Sequence, residues 1–395
     1  MYKKISIRSA AIIAAASSAI TFAAACTFAF QVCGSNMKDV KEFSDKYQRL
    51  HVVDEKINEM YYKDVDEESV LNSAIKGLVS GLDDKYSKYM TPEEYEQSVT
   101  NAKGSINGVG ITANMDDSGY ILVIEVKEDS PAAKAGIKPD DLIVAVNGKD
   151  VAETGYQESV KAIRGKKGTN VTVTVRRNEN DSDYTLTRQE IQEVTASGEM
   201  LENNIGYIRI THYKETTESQ FNEALDKLVE DGAKAIVFDV RDNGGGLVSA
   251  VEGCLDPLLP KADVATAIYR DGSTDVICRS DADELDLPMA VLVNGGTASA
   301  AELFASALRD FDKAVLIGEN TFGKGIMQDS IPLDDGGGLT ITIAKYKTAK
   351  SECYHGVGLK PDYTVALPKD TDISKLEHTE DAQLKKALSV IFNKK

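Results

Sequence analysis

Histidine is scarce in this chain. The four residues His51, His212, His355 and His378 include no His-Glu-x-x-His or other paired arrangement, so a zinc hydrolase has no ligand set to build on. Cysteine is scarce too. Of the five, Cys254, Cys278 and Cys353 are odd in number and widely spaced, with none of the spacings that hold a metal. One pair could bridge in an exported chain, and unpaired buried thiols are the alternative. Positive charge is in deficit, 45 Lys and Arg against 63 Asp and Glu for a net −18, which argues against nucleic acid and against a large basic face for membranes. The stretch Gly165-Lys-Lys-Gly168-Thr169 lacks the Gly-Lys-[Ser/Thr] order of a phosphate loop. Neither a metal nor an organic cofactor is expected.

Long apolar runs are absent except at the amino terminus. Lys3, Lys4 and Arg8 precede the charge-free stretch Ala10–Phe30, which has roughly the 20 residues that span a bilayer. Positive charge before such a stretch keeps the terminus inside and sends the remainder out. Ala23-Ala24-Ala25 offers small residues for cleavage, whereas apolar character continuing through Phe28 and Phe30 favours a retained anchor. The anchor is preferred, with secretion after cleavage as the alternative. Cys26 and Cys33 lack a leucine three residues earlier, so neither reads as a lipid-attachment site.

The segment around which the chain is organised is Ala290–Gln328. Ala290–Asn294 reads as a buried strand, Gly295–Ala298 as a turn, and Ser299 as the start of a helix whose Leu303, Phe304, Ala307 and Leu308 face a core. Unpaired N–H groups in a first helical turn favour developing negative charge, which suits a nucleophile. Ser299-Ala-Ala-Glu302 is equally a capping box, and these residues alone leave both roles open. A second buried strand, Ala314–Gly318, leads into Thr321-Phe-Gly-Lys324-Gly. Lys324 is a general base only if neutral, and burial beside Phe322, Ile326 and Met327 would lower its pKa; a solvated turn lysine is the alternative. Gln328, four residues on, shares a face with Lys324 in a helix or a strand.

Asn294-Gly-Gly-Thr-Ala-Ser299-Ala-Ala-Glu302 followed by Thr321-Phe-Gly-Lys324-Gly-Ile-Met-Gln328 resembles the carboxyl-terminal processing (tail-specific) serine proteases. The resemblance implies Ser299 as nucleophile, Lys324 as base and Gln328 as the residue that orients it. It also maps the family's Asn-Pro-Gly-Gly loop onto Asn243-Gly-Gly-Gly246. Gly245 with Ala300 would then supply the oxyanion N–H groups, and Gly244 stands in the proline's place. Tyr62–Asp66, Ala74–Gly77, Leu82–Asp83, Tyr89–Glu94, Gly356–Asp362 and Glu380–Leu384 extend the likeness to about residues 55–392, with Asp84-Lys85-Tyr86 departing from the usual proline and histidine.

Taken in order, the chain reads as an export segment (1–33), a helical region (34–103), a β-rich unit (104–190), an α/β core (191–370) and a terminal helix (371–395). Helices are expected over Lys38–Met60, with Val40, Phe43, Tyr47, Leu50, Val53, Ile57 and Met60 on one stripe, over Glu67–Ser80 and from Pro92. The β-rich unit has strands at Ile121–Val126, Ile143–Val146 and Val171–Val175, the last closing it, helices at Ser130–Ala135 and Tyr156–Ile163, and an Asn147-Gly148 hairpin. With Gly108-Val109-Gly110-Ile111 before the first strand it resembles a PDZ domain, which implies a peptide added as a strand and its carboxylate held on that glycine loop. The fold class implied is multidomain α/β, a crotonase-like protease core preceded by a PDZ domain and a helical segment.

The function implied is an exported endopeptidase that cuts polypeptides near a free carboxyl terminus through an acyl-enzyme. A homodimer formed through helical ends is expected from the family. Other readings are a catalytically silent PDZ scaffold, which would have no need of Ser299, Lys324 and Gln328 together, and a Ser-His-Asp hydrolase using His212 or His355.

Overall fold

The computed structural model describes residues 45–281, 284–369 and 371–393. The expected anchor, its flanking charges, Cys26, Cys33 and the first turns of the Lys38–Met60 helix lie outside them. Among the described residues no helix is long and apolar enough to cross a membrane, so nothing there supports the anchor.

The chain divides into two compact units, Met1–Ile75 and Lys76–Lys395. In the first, residues 45–60 are helical. The apolar stripe expected there faces solvent: Leu50, Val53 and Met60 are exposed. The helix Glu67–Ser80 begins in this unit, capped by Asp66, whose carboxylate accepts the Ser69 N–H at 3.2 Å.

The second unit contains a six-stranded sheet in the order Ala196–Leu201, Ile205–Ile210, Ala235–Asp239, Met289–Val293, Ala314–Gly318, Tyr363–Thr364. Its first pair is antiparallel and the rest are parallel. Parallel neighbours need crossovers, and the helices Thr217–Glu230 and Ala300–Asp310 provide them. Strand alternation covers both faces. Ile236 and Phe238 point into a core with Phe221, Leu225 and Phe304, while Ala235 and Val237 meet Leu384 and Ala387 of the helix Ala382–Val390. Phe238 and Phe304 are edge to face with centroids 5.3 Å apart; truncating either to alanine should cost about 3–5 kcal/mol.

A second, antiparallel sheet is built on the long strand Gly338–Thr348, paired with Lys88–Met90, Ala262–Tyr269 and Ile326–Pro332. Ala262–Tyr269 also forms a hairpin with Thr274–Ser280.

The β-rich segment has its own core of Ile121, Val123, Ile143, Val146, Val171, Val173 and Val175. Its sheet runs Ile111–Met115, Ile121–Val126, Leu142–Val146, Asn170–Arg177, Asn180–Thr187. The unit therefore does not close at Val175. The following strand was hidden by its polarity, since Asn180–Asp183 are exposed. Entry and exit are tied together, because Ser105–Gly108 pairs with Gln189–Gln192. Asn147 and Gly148 both adopt positive φ, 51° and 75°, as the two-residue hairpin requires.

Candidate active site

Three loops leave the carboxyl ends of adjacent parallel strands, the place where open α/β sheets build sites. They run from Asp239 to Gly246, from Val293 to Ser299 and from Gly318 to Lys324. Short-range polar ties join the first two. Asn294 Oδ1 accepts the Asp242 N–H at 2.9 Å while its Nδ2 donates to Asp242 Oδ1 at 2.8 Å. Thr297 donates to the Val240 carbonyl at 2.8 Å, and the Ala298 N–H donates to the Asn243 carbonyl at 2.9 Å.

Ser299 sits at a strained corner. Its φ of 55° and ψ of −118° suit the first central residue of a turn that normally takes glycine, and the Ala301 N–H closes that turn on the Ala298 carbonyl at 3.1 Å. A non-glycine residue held there costs of order 1–3 kcal/mol and is the kind of strain found at reactive centres. Ala300, the next residue, opens the helix Ala300–Asp310, so its N–H has no intrahelical acceptor.

Glu302 does more than cap. It is fully buried and one oxygen accepts the N–H groups of Ser299, at 2.9 Å, and Lys324, at 2.8 Å. The other accepts the Thr321 hydroxyl at 2.5 Å and the Gly323 N–H at 2.8 Å. One carboxylate thus locks the serine turn to the lysine loop. Such charge-assisted bonds are about twice as strong as neutral ones.

Lys324 is half-buried, and burial holds its pKa below the usual lysine value; Asp84 and Glu302 pull it back up, and Lys85 pulls it down. Its Nζ lies over the Tyr86 ring, 4.5 Å from the centroid, and not in hydrogen-bond contact with the Ser299 hydroxyl. Of the apolar neighbours expected around it, Ile326 is buried but Phe322 is half exposed. Gly323 and Gly325 let the loop approach the segment 353–358: a Cβ on Gly323 would stand 2.8 Å from the Gly358 nitrogen, and one on Gly325 3.0 Å from the His355 nitrogen. Gln328 bonds to the Thr342 hydroxyl at 3.2 Å. A bulge between Met327 and Gln328 interrupts the alternation on which a face shared with Lys324 depends.

Gly245 adopts φ +99°, and a Cβ there would lie 2.8 Å from Ser299 Cβ and 2.9 Å from the Ala300 nitrogen. Its backbone therefore flanks the serine as expected. Its N–H, however, is engaged by Asn243 Oδ1 at 2.9 Å, with Asn243 itself buried and donating to the Ile210 carbonyl at 2.9 Å. A Cβ on Gly244 would meet nothing within 4 Å.

Two tyrosines complete the surroundings, and neither was foreseen. The Tyr346 hydroxyl donates to the Lys324 carbonyl at 3.1 Å and accepts from Tyr354 at 3.0 Å. Burial raises the Tyr346 pKa, opposed by hydrogen bonds that include one from Ser299, so the serine hydroxyl faces a neutral phenol. A cleft lies beside the site. It has a volume of about 870 Å³ and is lined by Lys85, Tyr86, Phe322, Gly323 and His355, among others.

His355 is exposed. Burial lowers the His212 pKa, Lys214 lowers it further and Glu193 raises it. Neither histidine makes a hydrogen bond to Ser299. Cys254, Cys278 and Cys353 are free thiols.

The glycine loop of the β-rich unit packs on the helix Pro131–Ala135. The Val109 carbonyl accepts the Ala132 N–H at 3.0 Å, and Gly110, at φ +81°, leaves no room for a Cβ, which would fall 2.2 Å from Ser130 Cβ. Ile111–Met115 is an edge strand. On that edge the Tyr156 hydroxyl, from the helix Tyr156–Ile163, donates to the Ala113 carbonyl at 2.8 Å.

Comparison with known proteins bears on all three regions. Residues 204–365 match Peptidase family S41, residues 122–177 a PDZ domain, and residues 18–94 the N-terminal domain of the activating protease CtpB. The chain is 38% identical over 345 residues to the carboxy-terminal processing protease CtpA of Bacillus subtilis (strain 168), covering 87% of this chain and 73% of that one. It is 32% identical over 353 residues to a protein of Staphylococcus aureus (strain COL) named "Probable CtpA-like serine protease", covering 89% and 70%. A solved S41 protease structure from Bacteroides fragilis NCTC 9343 superposes with a TM-score of 0.54 at 18% identity, covering 84% of this chain and 91% of that one, a likeness of fold.

Proposed function

From the premise that this chain belongs to the carboxyl-terminal processing serine peptidases of family S41, we propose that it cuts polypeptides by a Ser299–Lys324 dyad through an acyl-enzyme. Neutral Lys324 takes the Ser299 hydroxyl proton as Oγ bonds to the scissile carbonyl carbon. The carbon–nitrogen bond then breaks and Lys324 returns the proton to the departing amine. Water, deprotonated in turn by Lys324, then bonds to the acyl carbon, the carbon–Oγ bond breaks, and Lys324 returns the proton to Ser299.

Ala300 N–H and, once released by Asn243, Gly245 N–H would stabilise the oxyanion. Gln328 is the lysine's positioning residue in this scheme, after a rearrangement away from Thr342. The observation that carries the reading is the Glu302 carboxylate, which accepts both the Ser299 and the Lys324 N–H and so holds the two reacting residues on one buried anchor.

Substrate recognition by a free carboxyl terminus belongs to the same proposal. The Gly108–Ile111 loop would receive the carboxylate and the edge strand Ile111–Met115 would pair with the peptide. Export, with residues 10–30 as the anchor, and pairing of two copies through the 45–60 helix, whose Leu50, Val53 and Met60 are exposed, complete it; the mass in solution with and without L50E tests the pairing.

The test of the dyad is digestion of an unstructured protein substrate by the wild type and by Ser299→Ala. The mutant should lose proteolysis while losing only about 1 kcal/mol of stability, the ordinary cost of a helix cap. A folded mutant that keeps most of its activity would reject the nucleophile and leave the cap.

A further inference from the structure

One aromatic ring in the site carries two ammonium groups. Lys324 Nζ lies 4.5 Å from the Tyr86 centroid and Lys85 Nζ lies 4.9 Å from the same centroid. Lys85 also stands 5.1 Å from the centroid of Phe322, two residues before Lys324. Its head group is thus held against the lysine loop by two rings, and the two cations are within about one Debye length of each other, 8–10 Å at ordinary ionic strength. A ring quadrupole that stabilises one cation is here shared by two that repel.

We propose that Lys85 is a positioning residue of the electrostatic kind: held against the same Tyr86 ring, its fixed charge disfavours a second positive charge at Lys324 and so keeps the amine available as a base. The inference rests on the reading of Lys324 as the general base.

The charges that face Lys324 come from two elements and do not all agree. Glu302, from the serine helix, and Asp84, from the turn before Tyr86, favour the charged amine. Asp84 is held in place, accepting from the Ser87 hydroxyl at 2.6 Å and the Tyr86 N–H at 3.0 Å. Its pull on Lys324 is therefore a standing feature of the site. Lys85 is the next residue in the chain, is exposed, and makes no ion pair among the described residues. Burial does most of the work of lowering the lysine's proton affinity, and Lys85 acts in the same direction against Asp84. A neighbouring cation that neutralises a lysine is an established way to activate an amine. Because Lys85 is exposed its influence is screened by salt, which gives the effect a signature that packing does not share.

The test uses the full chain with Lys85→Arg, Lys85→Gln and Lys85→Glu, read in two ways. One is the pH profile of kcat/KM on a fixed peptide. The other is the pH dependence of Lys324 modification by 1-fluoro-2,4-dinitrobenzene, followed by mass spectrometry, which reports the amine without using catalysis. Lys85→Arg should leave both profiles in place. Lys85→Gln should move both to higher pH by about half a unit and Lys85→Glu by about one, the direction set by removing and then inverting a neighbouring charge. In 1 M salt the differences should shrink.

Profiles unchanged by charge reversal would overturn the proposal. So would a change confined to KM for acidic peptides, which would make Lys85 a substrate contact. A shift in the modification profile without one in the activity profile would keep the tuning and reject Lys324 as the base.

Discussion

The protease loops and the glycine loop of the PDZ unit solve the same problem by different means. Each uses a positive-φ glycine to bring backbone against a helix start, Gly245 beside Ala300 and Gly110 beside Ser130. The PDZ loop rests on an apolar core of its own, and the edge strand beside it accepts the Tyr156 hydroxyl at the Ala113 carbonyl. The protease loops are fastened by polar groups, the half-buried Asn294 and the buried Asn243, Thr297 and above all Glu302. A site fastened by satisfied buried polar groups tolerates little change, because each broken tie strands a buried donor or acceptor. A site resting on apolar packing can gain or lose one hydroxyl contact at modest cost.

Exchanging alanine for the two glycines separates the regions most sharply. Gly245→Ala puts a Cβ 2.8 Å from Ser299 Cβ and 2.9 Å from the Ala300 nitrogen, and should lower kcat by about a hundred- to a thousandfold, the scale of losing an oxyanion donor, with binding of a free-acid peptide to the full chain unchanged by titration calorimetry. Gly110→Ala should do the reverse, abolishing that binding while short peptides, which use little of the PDZ groove, are still cut. If either mutant fails in both assays, the two regions are not independent.

Glu302→Gln should come next. The amide nitrogen would face donors at Ser299, Lys324, Gly323 or Thr321, and each unsatisfied donor costs about 1–3 kcal/mol. We expect turnover reduced by about a hundredfold or more and a lower midpoint of unfolding in denaturant, with peptide affinity again unchanged. Wild-type turnover in this variant would show that the shared carboxylate is dispensable.

Tyr156→Phe frees the Ala113 carbonyl for a peptide strand at the loss of one neutral hydrogen bond, a matter of about 1 kcal/mol. Peptide affinity should tighten severalfold and turnover of short substrates should not change; weaker binding would mean that the hydroxyl contacts the ligand instead. The smallest effect is expected for Gly244→Pro. No contact stands within 4 Å of a Cβ there and its φ is not positive, so the restraint on the unfolded chain should add about 0.4–1 kcal/mol of stability, read from denaturant unfolding.

What could be read from the sequence followed the same division. Local signals carried the parallel strands Met289–Val293 and Ala314–Gly318 and the helix Ala300–Asp310 between them, because apolar runs and caps act over a few residues. They also placed Ser299 at the start of that helix, though not its strained backbone, whose φ is 55°. The double role of Glu302 was only half legible. Its bond to Ser299 lies within one helical turn, whereas Thr321, Gly323 and Lys324 come from a loop beyond the next strand. Tyr346, Tyr354 and the ring of Tyr86 escaped for the same reason, since each reaches the site from a distant element. The strand Asn180–Thr187 escaped because its outer face is polar, and the hairpin Ala262–Ser280 because its alternation is broken by register shifts at Ala265.

The central claim is that a half-buried lysine, not a histidine, activates Ser299. The most direct measurement is the pH dependence of kcat/KM for the wild type beside Lys324→Arg. Only the neutral amine accepts a proton, and burial lowers its pKa from 10.5, so activity should rise with pH, continue upward beyond the histidine range near 6.5, and level off below 10.5. Lys324→Arg should be inactive at every pH, because a guanidinium keeps its charge. A profile that levels off near pH 6.5 together with an active Lys324→Arg enzyme would contradict the account.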